Sequence, residues 1–120
     1  MGISLADKPV KYETLQASAA QFDLNVQQKQ LLFGLSPRTQ ARYKQSNPEL
    51  NPLVADRLSR FQRLTDLAVK VFEDEREAKR WLSSPKANLD NLTPLDAMAT
   101  DSGATQVEQM LYRIEYGVYA

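Results

Sequence analysis

Phe33-Gly34-Leu35-Ser36-Pro37-Arg38-Thr39-Gln40-Ala41-Arg42-Tyr43-Lys44 holds a helix end, a tight turn and a helix start in one short stretch. Gly34 suits the left-handed backbone of a helix end, where a Cβ is unfavourable. Ser36 puts a side-chain oxygen where it can accept a hydrogen bond from an orphan backbone N–H. Pro37 takes the first helical position, whose N–H the helix cannot use. Leu35 can bury itself between the helices on either side. With the short helix expected upstream from Val26, the stretch to Tyr43 has the outline of a helix-turn-helix.

The same punctuation recurs outward from this turn. Asn51-Pro52 and Thr93-Pro94 repeat the pairing of a capping oxygen with proline. Ser46-Asn47-Pro48 ends the helix opened by Ser36, Ser84-Pro85 ends the one that carries Trp81, and Gly103 separates a further segment. Helices are predicted near 10–22, 25–33, 37–45, 52–72, 75–83, 94–100 and 104–117. No stretch alternates with period two, so no sheet is expected. The long helix repeats Leu58, Phe61, Leu64, Ala68, Val71 and Phe72 at helical spacing, with Leu67 at the edge of the stripe and Arg63, Asp66 and Lys70 on the other side. The expected fold is an all-α small bundle: a flexible tail over 1–9, a helix-turn-helix region over 10–50, a bridging helix over 51–73 on which both halves pack, and a C-terminal helical region over 74–120.

Composition narrows the chemistry. The 120 residues contain no Cys and no His, which removes disulfides, thiolate nucleophiles, the commonest general base and the commonest transition-metal ligand. No apolar run is long enough to span a bilayer, the N-terminus has no signal-peptide pattern, and Ala6 stands where a myristoylation signal needs Ser or Thr. A cytoplasmic protein without membrane contact is expected. Net charge is zero, but residues 1–48 hold six Lys/Arg against three Asp/Glu, whereas residues 73–120 hold five against nine. A basic front and an acidic back suit two kinds of partner.

The helix opened by Ser36 has the chemistry of a DNA reader. Arg38 can offer two parallel donors to a guanine edge, and Gln40 can pair an adenine edge. Ser36 and Thr39 can donate to phosphate, with Arg42 on the same short helix and Lys44 a point charge within reach of phosphate. Arg57 and Arg60 can add backbone contacts if they fold beside this unit. Tyr43 is expected in the core.

The last helix points to a protein partner. Stepping about 100° per residue puts Met110, Leu111, Ile114 and Val118 within about 60° of Val107, with Tyr112, Tyr116 and Tyr119 on the opposite side. A surface helix needs only one apolar stripe. A second must be covered by the rest of the chain, by a copy or by another protein, and tyrosine is favoured where a surface is wet when free and buried when bound. The acidic Glu73-Asp74-Glu75 and Glu77 sit at a helix start, which favours negative charge, and nothing nearby supplies the extra oxygen ligands a hard cation needs. No metal or other cofactor is expected. Trp81, spaced with Ala78 and Leu82, is expected in the core.

Several of these marks occur together in a known order. Ala78, Trp81-Leu82, Pro85, Leu89, Thr93-Pro94-Leu95-Asp96, Gly103-Ala104, Val107-Glu108, Leu111, Arg113-Ile114 and Tyr116-Gly117-Val118 resemble the toxin-binding domain of the Xre/ParS/MbcA antitoxin family. Gly34 to Thr39 resembles the family's Xre-like helix-turn-helix, and Asp56, Arg57, Leu58 and Arg60 resemble its bridging helix. Asn91 replaces a glycine usual in the family, and Asn tolerates the left-handed backbone needed there. The resemblance implies a non-enzymatic antitoxin that neutralises a RES-domain, NAD-consuming toxin by covering its active site. The covering segment would be Tyr112, Arg113, Glu115, Tyr116, Gly117, Val118, Tyr119 and Ala120 within the acidic stretch 90–120. It also implies repression of its own operon, commonly as a complex with the toxin, and a homodimer would present two recognition helices to palindromic operator DNA. The alternatives are a stand-alone helix-turn-helix regulator with a C-terminal dimerisation domain and, far behind, an enzyme using the 73–77 carboxylates.

Overall fold

The computed structural model describes residues 9–117. The flexible tail expected over 1–9 and the last three residues of the expected covering segment, Val118, Tyr119 and Ala120, lie outside that range except for Pro9. The chain forms two compact units that divide between Leu58 and Ser59, inside one long helix.

The first unit contains α1 (Tyr12–Gln21), α2 (Val26–Phe33), α3 (Pro37–Ser46) and the opening turns of α4 (Pro52–Phe72). Helices α1 and α2 both pack on α3. Its core is built from Tyr12, Leu15, Ala19, Phe22, Leu32, Phe33, Leu35, Val54 and Leu58. Helix α1 begins two residues later than predicted. The Tyr12 N–H donates to Pro48 O at 2.9 Å and the Leu50 N–H to Val10 O at 2.7 Å. These bonds hold Lys11 extended in an isolated antiparallel bridge to Glu49. Asn47 closes α3 in the left-handed region and clamps the end of α3 to the start of α1: the Glu13 N–H donates to Asn47 Oδ1 at 2.9 Å, and Asn47 Nδ2 donates to Glu13 Oε2 at 3.1 Å.

The second unit contains the rest of α4, α5 (Glu75–Leu82), a 3-10 turn (Ala87–Leu89), α6 (Pro94–Ala97) and α7 (Asp101–Glu115). Helix α6 packs against both α5 and α7. Along α4, Phe61, Leu64 and Ala68 are buried as their spacing predicts, and Arg63, Asp66 and Lys70 face solvent. Thr65 joins the buried side because its hydroxyl donates to Phe61 O at 2.9 Å, satisfying it within the helix.

Gly103 is not a break between segments. It lies in the first turn of α7, which Thr100 caps by accepting from the Gly103 N–H. A Cβ at Gly103 would stand 1.8 Å from Ala97 O, so glycine is needed there for close approach of α7 to the end of α6. Helix α6 ends at Ala97 rather than at the predicted residue 100. The turn before Thr93 runs through Asp90 and Asn91, both left-handed, with φ of 54° and 64°. Asn91 thus adopts the backbone expected where the family has glycine. Among the described residues no helix is long and apolar enough to cross a membrane.

Candidate functional site

The first candidate surface is the outer face of α3. Gly34 has φ +73° and ends α2, and the Ser36 hydroxyl accepts from the Thr39 N–H at 3.1 Å to cap α3. Arg38 and Arg42 are exposed. One helical turn apart, they point from the same side of the helix. The Arg42 guanidinium lies 5.5 Å from the centroid of the Tyr43 ring, a cation–π contact that orients it. Lys44 is exposed too, but stands roughly 120–160° around the helix from the two arginines. Tyr43 is half-buried and meets the Tyr12 ring edge-on, with centroids 5.6 Å apart.

Three expected DNA contacts change. Gln40 is 5% exposed, and its Nε2 donates to Val26 O at 3.0 Å and to Leu35 O at 2.8 Å. Both amide hydrogens are therefore committed to clipping the turn to α2 and α3, and none is left for an adenine. Ser36 donates its hydroxyl hydrogen to Thr39 Oγ1 at 3.0 Å, so only Thr39 keeps a hydroxyl hydrogen to offer. Arg60 belongs to the second unit, where it pairs with Asp101 and donates to Ala99 O at 3.1 Å. Arg57 does fold beside the turn: its guanidinium lies across Gly34, 2.2 Å from where a Cβ would sit. Glycine is required at 34 for its φ, whereas a Cβ there would only push aside the tip of the flexible Arg57 side chain.

The second candidate surface is the outer side of α7. Ala104, Val107 and Leu111 are buried, and Met110 and Ile114 flank them half-buried. On the other side Tyr112 is 39% and Tyr116 71% exposed. Their rings stack on each other, centroids 6.1 Å apart and planes 11° from parallel. The unit's own fold leaves this aromatic pair open. Arg113 is exposed and Glu115 half-buried beside it. The helix ends at Glu115 with Tyr116 as its cap, and Gly117 turns left-handed at φ +67°.

The acidity of residues 90–120 is partly neutralised inside the second unit. Arg60 pairs with Asp101, and Arg63 pairs with Glu108 at 2.6 Å. In the 73–77 cluster, Asp74 accepts from the Arg76 and Glu77 N–H groups and serves as the cap of α5. Trp81 is half-buried rather than in the core, held between Phe72, 5.8 Å away by centroid, and the Lys86 ammonium 5.0 Å from its ring.

Comparison with known proteins finds a matching family for each half of the chain. Residues 1–63 match the antitoxin Xre-like helix-turn-helix domain, and residues 67–117 match the antitoxin Xre/MbcA/ParS C-terminal toxin-binding domain. A Pseudomonas putida protein named antitoxin Xre is 46% identical over 63 residues, covering 52% of this chain and 40% of that protein. A Yersinia enterocolitica antitoxin Xre is 31% identical over 88 residues, covering 72% of this chain and 60% of that protein. The matches thus span about half the length of these curated relatives. A chain of the M. tuberculosis MbcT–MbcA toxin–antitoxin complex superimposes with a TM-score of 0.65 at 21% identity, over 99% of this chain and 100% of that one. That likeness establishes a shared all-helical fold. Together, an Xre-like helix-turn-helix followed by the toxin-binding domain mean that the chain belongs to the Xre/MbcA/ParS antitoxin family.

Proposed function

We propose that the chain is the antitoxin of a type II toxin–antitoxin pair, a non-enzymatic inhibitor that holds its toxin through α7 and its operator through α3. The observation that carries this reading is the stacked Tyr112–Tyr116 pair, open to solvent within the stretch that matches a toxin-binding domain. Two exposed aromatic rings with polar tips suit a surface that becomes buried on binding. The toxin is a RES-domain enzyme that consumes NAD. Tyr112, Tyr116 and the residues that follow cover its active site, with Arg113 and Glu115 at the rim. A pocket built for a dianionic dinucleotide is basic, and Glu115 is the acidic residue of α7 best placed to meet it, since Asp101 and Glu108 are paired within the unit.

The basic first unit binds the operator of its own operon. Arg38 reads a base edge, Thr39, Arg42, Lys44 and Arg57 contact the backbone, and a homodimer presents two α3 helices to a palindrome. A DNA partner puts the chain in the cytoplasm.

Co-expression with the product of the adjacent gene, followed by a pull-down, tests the pairing. The full chain should retain that product, and a chain ending at Ile114 should lose it. A neighbour that encodes no toxin, together with tight operator binding by the isolated chain, would favour a stand-alone regulator.

A further inference from the structure

With Gln40 enclosed and its amide hydrogens on backbone carbonyls, the capacity of α3 to pair with bases rests on the side chains of its open face. Stepping about 100° per residue puts Ala41, Arg42 and Gln45 all within about 60° of Arg38, with Gln40 and Tyr43 roughly 140–160° away. Burial agrees with that count. Arg38, Ala41, Arg42 and Gln45 are all exposed, Tyr43 is half-buried and Gln40 is buried. The open face of α3 is thus a strip of four residues, two of them arginines, and Gln45 is its one amide.

Nothing within the fold uses that amide. The Ser46 hydroxyl donates back to Arg42 O at 3.1 Å, and the Asn47 side chain is spent on Glu13. The Gln45 side chain forms no hydrogen bond or ion pair among the described residues. The turn that carries it is nonetheless held firmly. The Asn47 N–H donates to Tyr43 O at 2.7 Å, and the Tyr43 ring meets Tyr12 edge-on. With the Asn47 clamp to α1, these contacts fix the backbone beneath Gln45 while its side chain stays free.

A glutamine so placed offers a carbonyl and an NH₂ side by side, the complement of the N6 donor and N7 acceptor that adenine shows in the major groove. Ala41 lies between Arg38 and Gln45, and its methyl is too short to hold the helix away from base edges. Helix α3 contains no Asp or Glu to repel phosphate. Seven residues at 1.5 Å each place Gln45 about 10.5 Å along the axis from Arg38, the rise of about three base pairs.

We propose that Gln45 is a specificity-determining residue of α3, the adenine reader of its open face. The operator then carries an adenine met by Gln45 within about three base pairs of the guanine met by Arg38. This rests on the DNA-binding half of the proposed function.

The test is selection from a pool of random duplexes by the full chain, alone and with the product of the adjacent gene bound. Affinities are then measured at fixed salt for single-base variants of the selected site. The wild type should select a guanine and an adenine at that spacing. Replacing the adenine should weaken binding by about 5- to 150-fold, the range for one bidentate contact. Gln45→Ala should lose a similar factor on the selected site and accept all four bases at the adenine position, while still requiring the guanine. Arg38→Ala should do the converse. Because the Gln45 side chain is exposed and unbonded, Gln45→Ala should melt with the wild type.

An adenine preference kept in Gln45→Ala would overturn the assignment. A loss spread equally over all duplexes would make Gln45 a backbone contact and overturn it too. A wild type that binds duplex DNA but selects no adenine at that spacing would sink the inference and leave the DNA half of the function standing. A wild type that retains no duplex, alone or with the neighbour bound, would sink that half and the inference with it.

Discussion

Arg38 and Gln40 stand two positions apart on α3, and both have side chains suited to reading a base. Their surroundings separate them. Arg38 is exposed, whereas Gln40 is enclosed with both amide hydrogens on backbone carbonyls. Arg38→Ala should therefore leave the melting temperature within error and weaken operator binding by about 1–3 kcal/mol, the range for one bidentate base contact. Gln40→Ala should do the reverse in a melt. It leaves the Val26 and Leu35 carbonyls short of donors and destabilises the fold by about 1–3 kcal/mol. A gel-shift and a thermal melt on each variant separate the two roles. Gly103 carries a constraint of another kind. Gly103→Ala drives a methyl into the Ala97 carbonyl, which neither backbone can easily vacate. An overpacking loss of about 1–3 kcal/mol is expected in a denaturant titration, in place of the small gain that alanine gives in an open helix.

Helices were legible in the sequence wherever their signals were local. Ser36-Pro37 and Thr93-Pro94 open α3 and α6 as read, and α4 runs from Pro52 to Phe72 as its apolar spacing requires. What stayed hidden depends on distant partners. Gly103 looks like a breaker until Ala97 is seen against it, and the start of α1 is set by Pro48 and Val10 rather than by its own residues. Arg57 and Arg60 share one side of α4, yet one lies over Gly34 and the other pairs with Asp101. No periodicity assigns them to different units. At the level of elements, the cap of α7 is testable. Thr100→Ala removes the acceptor for the Gly103 N–H and should lower stability by about 0.5–2 kcal/mol. Hydrogen exchange should show that loss first in the opening turn of α7.

For the molecule as a whole, the two surfaces lie in separate compact units, so their functions should be separable by mutation. Arg38→Ala should repress its operon poorly and still rescue growth against the toxin, and a chain ending at Ile114 should bind operator DNA and fail to rescue. The most direct measurement is growth of cells that express the neighbouring toxin gene together with a Tyr112→Ser, Tyr116→Ser variant. Both rings are exposed, so the variant should fold with an unchanged melt and an unchanged operator gel-shift. The expected result is loss of rescue at expression levels where the wild type rescues fully. Full rescue by that folded variant would contradict the assignment of α7's open aromatic face to the toxin.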